Sequence, residues 1–336
     1  MDLPTDLAAA LDAATADLPL RDLEASVERL IARYRTPGRA DRPILSGGVD
    51  AAAYAAYRMP ATWGAVRAAL IAAAARVPGL APRSLVDVGG GTGAAAWAAA
   101  AVFGASLKDV AVRDQVPEAL EVGRRLARDA FSGALRHAEW RQVRFPAEVP
   151  EADLVTVSYV LSELAADAQE ALVRASAAGA GTIAVIEPGT PDGYRRIAAA
   201  RDVLVGMGLH VAAPCPHSDA CPLLSDGNRD WCHFASRIHR TPLHRRLKGA
   251  DLQHEDEKFA YVVATRMPPA SAEPSPSPSR ILRHPQIRKG LVMMQLCHSD
   301  GTVAQTLVSK RQGDTYKTAR DADWGDEWPE PVSETA

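Results

Sequence analysis

Residues 84–93 have the sequence Ser-Leu-Val-Asp-Val-Gly-Gly-Gly-Thr-Gly, and this stretch decides the fold of the 336-residue chain. It is a short apolar run that reaches an acid and continues into glycines, and an alanine-rich helical stretch at 94–102 follows it. Glycine lets the backbone turn sharply and approach a ligand without a Cβ in the way. The stretch therefore predicts a buried strand, a tight turn that can hold a ligand, and a helix, which together form the repeating unit of a parallel α/β sheet.

The glycine pattern is compatible with two kinds of ligand. The spacing Gly89-x-Gly91-x-x-Ala94 fits the dinucleotide fingerprint G-x-G-x-x-G/A. Asp87 and Gly93 separate the alternatives, because the form D-x-G-x-G-x-G resembles motif I of Rossmann-like S-adenosylmethionine methyltransferases. That resemblance implies that the three glycines of the motif pack the methyl donor against backbone. A glycine-rich turn that packs helix on sheet and binds no ligand remains the alternative.

Asp114 follows a second apolar run, at 109–113. An acid at the end of the second strand of such a fold can accept hydrogen bonds from both ribose hydroxyls, and we expect Asp114 to do so. Other short apolar runs alternate with helical stretches, as a doubly wound parallel sheet requires. They lie at 139–143, 153–157, 181–187 and 259–265.

The cysteines favour a metal centre. Cys215, Cys221 and Cys232 lie in one segment rich in proline, aspartate and glycine, and Cys297 follows much later in the chain. Such turn-forming neighbours argue against buried cysteines that act as small hydrophobic side chains. Disulfides would need an oxidising compartment, and the sequence does not suggest export. Four thiolates are the ligands that an iron–sulfur cluster needs.

Zinc is the alternative metal, because it also takes four cysteines or three cysteines and one histidine. His217, His233 and His298 each lie within two residues of a cysteine. Zinc ligands usually come in C-x2-4-C pairs, however, and the sequence has no such pair. The spacing therefore predicts a metal site and favours a cluster over zinc.

Composition and charge restrict the class of protein. Apolar residues make up 47% and charged residues 24% of the chain, which is ordinary for a soluble protein, and the apolar runs are too interrupted for a transmembrane helix. The first basic residue is Arg21, after four aspartates, so neither a secretory signal nor a transit peptide is expected. We therefore expect a cytoplasmic protein without membrane contact. A net charge of −3 argues against a protein that coats nucleic acid indiscriminately, and no DNA partner is expected.

Local basic segments are nevertheless compatible with RNA binding. No acid occurs from Trp231 to Ala250, and a further basic segment lies near the C-terminus. Phosphates pair with such groups, although a solvated charged surface is the alternative for each segment. The candidate RNA-binding residues are Arg237, Arg240, Arg245, Arg246, Lys248, Lys310, Arg311 and Lys317.

The chain divides into regions by composition. We expect breaks in the helical N-terminal region at 36–48 and at Met59-Pro60. Runs at 290–297 and 302–309 look like paired strands around the turn at 299–301, which would let Cys297 tie a small β module to the main domain. The predicted organisation is an N-terminal helical region (1–80), a Rossmann-like S-adenosylmethionine-binding domain (81–267) with a cysteine-rich metal-binding segment (210–234), a Pro/Ser linker (268–280) and a small β module (281–330).

Several segments together resemble one family. They are Ala53-Tyr54-x-x-Tyr57-Arg58-Met-Pro60-Ala-Thr62, Ser158-Tyr-Val-Leu-Ser-Glu163-Leu, Ile186-Glu187-Pro-Gly-Thr-Pro191, Ala213-Pro-Cys-Pro-His217, Asp230-Trp-Cys-His-Phe234 and Glu255-Asp-Glu-Lys-Phe-x-Tyr261. The chain is similar, from about residue 40 to 328, to the mitochondrial-type small ribosomal subunit methyltransferase-like family, which includes methyltransferase-like protein 17. The resemblance implies a Rossmann-like domain, association with small-subunit ribosomal RNA during assembly, and a [4Fe-4S] cluster on the four cysteines.

Three functions are compatible with these observations. The first is an S-adenosylmethionine-binding, cluster-containing protein that binds or methylates small-subunit ribosomal RNA in ribosome assembly. The second is a non-catalytic RNA-binding assembly factor in which the metal is a structural staple. The third is a small-molecule methyltransferase with structural zinc.

Catalytic residues are weakly indicated. Methylation at a pyrimidine carbon generally needs a cysteine nucleophile, and all four cysteines are already assigned to the metal. Amino-group methylation commonly uses an N/D-P-P-Y/F motif, which the chain lacks after the fourth strand. Neither chemistry is therefore supported. Ser158, Tyr159 and Glu163 lie where a substrate would meet the methyl group, and Glu163 could act as a base. Alternatively, Ser158 caps the following helix and Glu163 is only a surface residue. Glu187 is either a pocket carboxylate or part of a turn.

Overall fold

A computed structural model describes residues 1–35, 47–145, 147–225, 229–268 and 278–329. The helices are α1 (Thr5–Thr15), α2 (Leu20–Arg35), α3 (Gly48–Arg76), α4 (Ala94–Phe103), α5 (Pro117–Ala127), α6 (Gly133–Arg136), α7 (Ala166–Ala178), α8 (Pro191–Gly206), α9 (Pro242–Leu247) and α10 (Asp314–Asp321). The strands are β1 (Ser84–Val88), β2 (Asp109–Asp114), β3 (Glu139–Gln142), β4 (Ala152–Ser158), β5 (Ala180–Pro188), β6 (His210–Ala213), β7 (Phe234–His239), β8 (His254–Thr265), β9 (Ser279–Ile281), β10 (Gln286–Arg288), β11 (Leu291–Cys297), β12 (Val303–Ser309) and β13 (Glu327–Trp328).

The large sheet has the strand order β3-β2-β1-β4-β5-β8-β6, with β7 paired to β8. The first five strands are parallel, whereas β8 runs antiparallel to β5 and β6. This order, with an antiparallel strand inserted next to the edge, is the Rossmann-like methyltransferase arrangement. The predicted α/β fold class is confirmed, and the carboxyl ends of β1, β2 and β4 meet at one edge of the sheet, where such folds bind ligands.

Helices cover both faces of the large sheet. Alternation along β1 sends Leu85 to the side of α3, α4 and α5, and Val86 and Val88 to the side of α7 and α8. Parallel strands buried on both faces need apolar residues at nearly every position, and β4 and β5 meet that need. The N-terminal helices therefore complete one of the two apolar layers of the domain.

The predicted break at Met59-Pro60 is wrong, because α3 continues through Pro60 for 29 residues. Proline removes one backbone hydrogen bond and normally kinks or ends a helix. Here Met59, Ala61 and Trp63 are all buried, so packing on both sides of the proline holds the two halves together. The other predicted break, at 36–48, lies almost entirely outside the described residues.

A second, five-stranded sheet forms a C-terminal β module with α10. As predicted, β11 and β12 pair antiparallel, with Cys297 opposite Val303. The predicted linker at 268–280 extends too far, because Ser279 and Arg280 pair with β13. Arg280 is buried and donates to the carbonyl of Pro214, so the start of the module is anchored on the cysteine-rich segment. Residues 269–277 of that linker lie outside the described residues.

Candidate functional site

The glycine turn after β1 has the backbone that its sequence predicts. Gly89, Gly91 and Gly93 all have positive φ, at 65°, 52° and 85°. Residues with a Cβ are strained at such positive φ values, whereas glycine is not. The turn therefore needs these glycines whether or not a ligand binds.

The space beside each glycine differs. A Cβ at Gly89 would lie 2.3 Å from Val160 Cγ2, and one at Gly93 would lie 2.6 Å from the Trp140 ring. At Gly91, the nearest atom to such a Cβ is Asp114 Oδ2, at 3.8 Å. Two of the three glycines thus make room for side chains of the protein itself, and Gly91 is the one left open to a ligand.

Asp114, expected to bind ribose, organises the turn. Its Oδ2 accepts a hydrogen bond from the Gly91 N–H at 2.9 Å, and its Oδ1 accepts one from the Val116 N–H at 2.8 Å. Burial raises the pKa of Asp114, although hydrogen bonds from the backbone N–H groups of Val116, Gly91 and Gln115 oppose that effect. A carboxylate can accept about four hydrogen bonds, so capacity for ribose hydroxyls remains.

Asp87 lies beneath the turn and is fully buried. Thr156 donates to its Oδ1 at 2.8 Å and the Ala96 N–H lies near enough to lower its pKa, whereas its Oδ2 makes no hydrogen bond of normal geometry to the described residues. Burial raises the pKa of Asp87 to about 7. A buried polar atom without a partner usually marks a bound water or ligand group, so Asp87 fits a role in holding a ligand.

The end of β4 and the segment after it carry the three catalytic candidates, Ser158, Tyr159 and Glu163. Among the described non-glycine residues, Tyr159 alone has a positive φ, at 60°. Its phenol donates to Glu257 Oε1 at 2.9 Å, and the guanidinium of Arg58 lies over its ring at 4.8 Å. Arg58 also forms a two-bond ion pair with Glu257, at 2.7 and 3.0 Å. The phenol of Tyr159 is thus bound between α3 and β8.

Glu163 is the candidate that best fits a proton-transfer role. Glu163 is exposed, yet desolvation by neighbouring protein atoms and then the charges of Asp114 and Glu187 raise its pKa to about 7, and its exposure agrees with the alternative that it is a surface residue. A carboxyl group with that pKa can accept and release a proton near neutral pH. Asp114 and Glu163 are close enough for the charge of Asp114 to raise the pKa of Glu163.

Ser158 and Glu187 are buried near the ends of β4 and β5. Ser158 is buried at the end of β4, and the next 3-10 turn, Leu161–Glu163, has no side-chain cap, so the alternative that Ser158 caps it is wrong. Glu187 is fully buried, accepts from the Leu161 N–H at 3.0 Å and from Arg196 at 2.7 Å, and so holds the turn after β4. Sequence reasoning gave no role to Arg58 and Glu257, although both lie in quoted segments.

The four cysteines line one cavity, between α8, the segment after β6 and the end of β11. Burial, followed by the charges of the neighbouring cysteine sulfurs, raises the pKa of Cys232 well above its ordinary value and that of Cys297 to about 12. All four thiolates could therefore not coexist here without a compensating cation. The distant Cys297 lines the same cavity as the three cysteines of the loop.

Polar side chains surround these sulfurs. The Tyr194 hydroxyl lies 3.2 Å from Cys221 Sγ, and His217 Nε2 lies 3.5 Å from Cys297 Sγ. Arg201 and Arg280 are both buried beside the cavity, and Arg201 favours the thiolate form of Cys215. Sequence reasoning missed Tyr194 and Arg201, although their seven-residue spacing puts both on one face of α8.

The cavity between the cysteines has room for more than one water molecule, but its described residues form no site for a single metal ion. No group of three Cys, His, Asp or Glu side chains in the described ranges is arranged around one ion position. The cavity measures about 40 Å³, whereas by that measure one water molecule needs roughly 10–15 Å³. Each cysteine of a [4Fe-4S] cluster binds a different iron, so the sulfurs surround a larger volume than they do around zinc. Arg201 and Arg280 place positive charge beside the cavity, although Arg280 also pairs with Glu327 at 3.0 Å and Arg201 with Asp202 at 3.6 Å.

The basic segment 231–250 is largely neutralised. Arg237 pairs with Asp256 at 2.7 Å, Arg240 and Lys248 pair with Glu255, and Arg246 pairs with Glu24 at 3.8 Å. All of these acids lie outside the segment, which is why its sequence looked uniformly basic. Arg245 is exposed. Near the C-terminus, Lys310 and Arg311 are exposed, while Lys317 pairs with Asp314.

No helix in the described parts of the chain is long and apolar enough to cross a membrane.

Two known proteins are similar to this chain in sequence. The human mitochondrial ribosome assembly protein METTL17 is 30% identical over 292 residues, which are 82% of this chain and 62% of that protein. The Rsm22-cox11 tandem protein 2 of Schizosaccharomyces pombe, also mitochondrial, is 27% identical over 189 residues, 44% of this chain and 24% of that protein. The chain thus spans less than two thirds of the length of either relative.

Two solved structures are also similar. A putative RNA methyltransferase from Pyrococcus horikoshii matches with 13% identity and a TM-score of 0.38, covering 71% of this chain and 97% of that one. Magnesium protoporphyrin IX methyltransferase from Synechocystis matches with 12% identity and a TM-score of 0.41, covering 73% and 95%. Residues 48–329 match the family described as mitochondrial small ribosomal subunit Rsm22, and the chain therefore belongs to the Rsm22 family.

Proposed function

We propose that the chain is a small-ribosomal-subunit assembly factor that binds ribosomal RNA and holds a [4Fe-4S] cluster on Cys215, Cys221, Cys232 and Cys297. The observation that carries the cluster is the single cavity that these cysteines line beside two buried arginines. Family membership and the name of the human relative support the assembly role.

The cluster has a structural role in this proposal. Three ligands come from the segment after β6 and one from β11, so a bound group would cross-link the methyltransferase-like domain to the C-terminal β module. Metal-ligand binding energy is folding energy in such arrangements. Arg280, which donates to the Pro214 carbonyl at 2.9 Å, holds the same two parts together beside the cluster.

The test is anaerobic purification followed by iron, sulfide and zinc analysis and an absorption spectrum. We expect about four irons and four sulfides per chain. About one zinc without sulfide would overturn the cluster and return the site to structural zinc. Co-sedimentation with small-subunit particles from the source cells tests the assembly role, and its absence at low salt would overturn that role.

A second proposal concerns S-adenosylmethionine, which we place at Gly91 with Asp114 on the ribose and Asp87 below the turn. The open space at Gly91 and the unpartnered Asp87 Oδ2 favour binding. Glu163, with a pKa of about 7, is the candidate base for methyl transfer to RNA. Val160 against Gly89 and Trp140 against Gly93 instead favour a non-catalytic scaffold.

Titration calorimetry with the metal-loaded protein separates these two. Heat of binding to the wild-type protein would support the donor site, whereas no binding would leave the scaffold alternative. If the donor binds, Glu163→Gln should retain binding and abolish any transfer of labelled methyl groups to small-subunit RNA.

A further inference from the structure

The C-terminal β module has one covered and one open side. Val292, Met294 and Leu296 of β11 are buried in the core of the module, where α10 and Trp328 cover them. Because side chains alternate along a strand, Leu291, Met293 and Gln295 face the other way, and all three are partly exposed. The module therefore has an open face that none of its own helices covers in the described ranges.

Strand pairing defines the members of this open face. Residues directly opposite in an antiparallel pair share a side of the sheet. Met293 lies opposite Leu307 and Gln286, and Gln295 lies opposite Gln305. The exposed fraction of Leu307 is 54%. The middle of the open face is thus uncharged and carries apolar and amide side chains.

A cluster of four cations, which we call the basic rim, borders one end of the open face. It comprises Arg288, Lys289, Lys310 and Arg311, all of them exposed. The Lys310 N–H donates to the Gly290 carbonyl at 2.9 Å, so the turn after β10 adjoins the 3-10 turn after β12. None of the four cations has an ion-pair partner within the described ranges, in contrast to the paired cations of segment 231–250.

We infer that the open face and basic rim form a binding surface for single-stranded RNA. Unpaired cations gain most from phosphates, because no acid has to be displaced. The glutamines can hydrogen-bond to the edges of unpaired bases, and Met293 and Leu307 can contact their faces. A sheet face of a small β domain is a common site for such binding. This inference rests on the RNA-binding part of the proposed function and places it on the module.

The test measures binding of the full-length, metal-loaded protein to a fluorescein-labelled, mixed-sequence, single-stranded oligoribonucleotide at several salt concentrations. Lys289→Ala, Lys310→Ala and Arg311→Ala together should lower affinity about tenfold or more. Each lost phosphate contact changes the slope of log affinity against log salt by about 0.7, so the slope should become shallower by about 2.

A matched control removes three cations from ion pairs elsewhere. Arg124→Ala, Arg174→Ala and Arg195→Ala change the net charge equally, but each of these arginines already pairs with an acid on its own helix. Affinity should change less than about twofold in the control, because paired cations contribute little to phosphate binding. A separate variant, Gln305→Ala with Leu307→Ala, should weaken binding without changing the salt slope.

The outcomes separate this inference from the proposed function. If rim and control variants bind the oligoribonucleotide equally well, the RNA surface is elsewhere and the inference is wrong, even if both still co-sediment with small-subunit particles. If the protein binds the oligoribonucleotide through the rim but never co-sediments, the assembly role is wrong and the surface stands. If the wild type binds no free RNA but the rim variant no longer co-sediments with small-subunit particles, the rim binds an acidic protein and the inference is overturned.

Discussion

At the scale of single residues, the same residue type has different roles within one motif. Gly93 accommodates Trp140, whereas Gly91 faces open space beside Asp114. Tyr194, on α8, supplies a hydroxyl at hydrogen-bond distance from a cysteine sulfur. Surroundings, rather than residue type, therefore decide which members of a motif can contact a ligand.

Gly93→Ala should lower the free energy of unfolding by about 2 kcal/mol or more. A positive φ costs an alanine roughly 1–2 kcal/mol, and the new Cβ would also overlap the Trp140 ring. Trp140→Leu in the same chain should recover part of the loss by removing the overlap. Urea unfolding of the three proteins checks this, and equal midpoints for wild type and Gly93→Ala would contradict it.

Asp87 should make stability depend on pH. Its pKa is raised from about 4 to about 7 by burial, so the folded state binds this proton more tightly than the unfolded state. The contribution of protonated Asp87 to the free energy of unfolding is therefore fully present below pH 4 and decreases as the pH rises to 7. The decrease between pH 5 and 7 is about 2–3 kcal/mol. The free energy of unfolding of wild type relative to Asp87→Asn should decrease by that amount from pH 5 to pH 7. Urea unfolding of both proteins at both pH values measures this, and a difference that does not change with pH would contradict the prediction.

Tyr194→Phe should lower the reduction potential of the proposed cluster. When Cys221 is a thiolate, only the tyrosine can donate, and a donor to sulfur stabilises the more negative, reduced state. Loss of a bond that shifts the redox equilibrium tenfold would move the potential by about 59 mV for one electron. A redox titration monitored by absorption checks this at equal iron content. Tyr261→Phe, which lines the same cavity, is the control.

At the scale of elements, one buried ion pair joins three of them. Arg58 of α3, Glu257 of β8 and Tyr159 after β4 contact one another, and their sequence separations reach 199 residues. This arrangement holds Tyr159 in its strained backbone conformation at the end of β4. The position of the candidate catalytic segment is thus set by a helix and a strand far from it in sequence.

Glu257→Gln should destabilise the protein by about 2–3 kcal/mol, because it leaves the guanidinium of Arg58 largely buried without a counter-charge. Asp256→Asn, at the next position of β8, breaks the exposed pair with Arg237 and should cost about 0.5 kcal/mol or less. Guanidinium unfolding of both variants distinguishes them. Similar losses of stability in the two variants would show that the Arg58–Glu257 pair contributes no more than an exposed ion pair.

At the scale of the whole molecule, the C-terminal β module is attached by polar contacts and by apolar packing of Leu282, Val303 and Trp324 on the main domain. Arg280 reaches Pro214, Arg283 pairs with Asp230, and Arg76 of α3 reaches Glu327 at 3.5 Å. Cys297 lies in the same place. Loss of the proposed cluster should therefore weaken the attachment of the module more than it weakens the large sheet.

Cys232→Ser should lower the melting temperature and increase hydrogen exchange in β9–β13, while β1 and β4 remain protected. The reason is that ligand binding energy holds the two parts together. Hydrogen exchange read by mass spectrometry checks this. Unchanged melting and exchange in the variant would refute a structural role for the metal.

The sequence by itself determined the local parts: strand, glycine turn and helix at 84–102, the alternation of strands and helices, and the paired strands before and after 299–301. Periodicity and turn chemistry act over a few residues, so they can be read without a structure. Tertiary structure alone decided that Gly89 and Gly93 accommodate Val160 and Trp140, and that acids of β8 neutralise the basic segment 231–250. Those contacts join residues distant in sequence, and their partners follow only from how the elements pack.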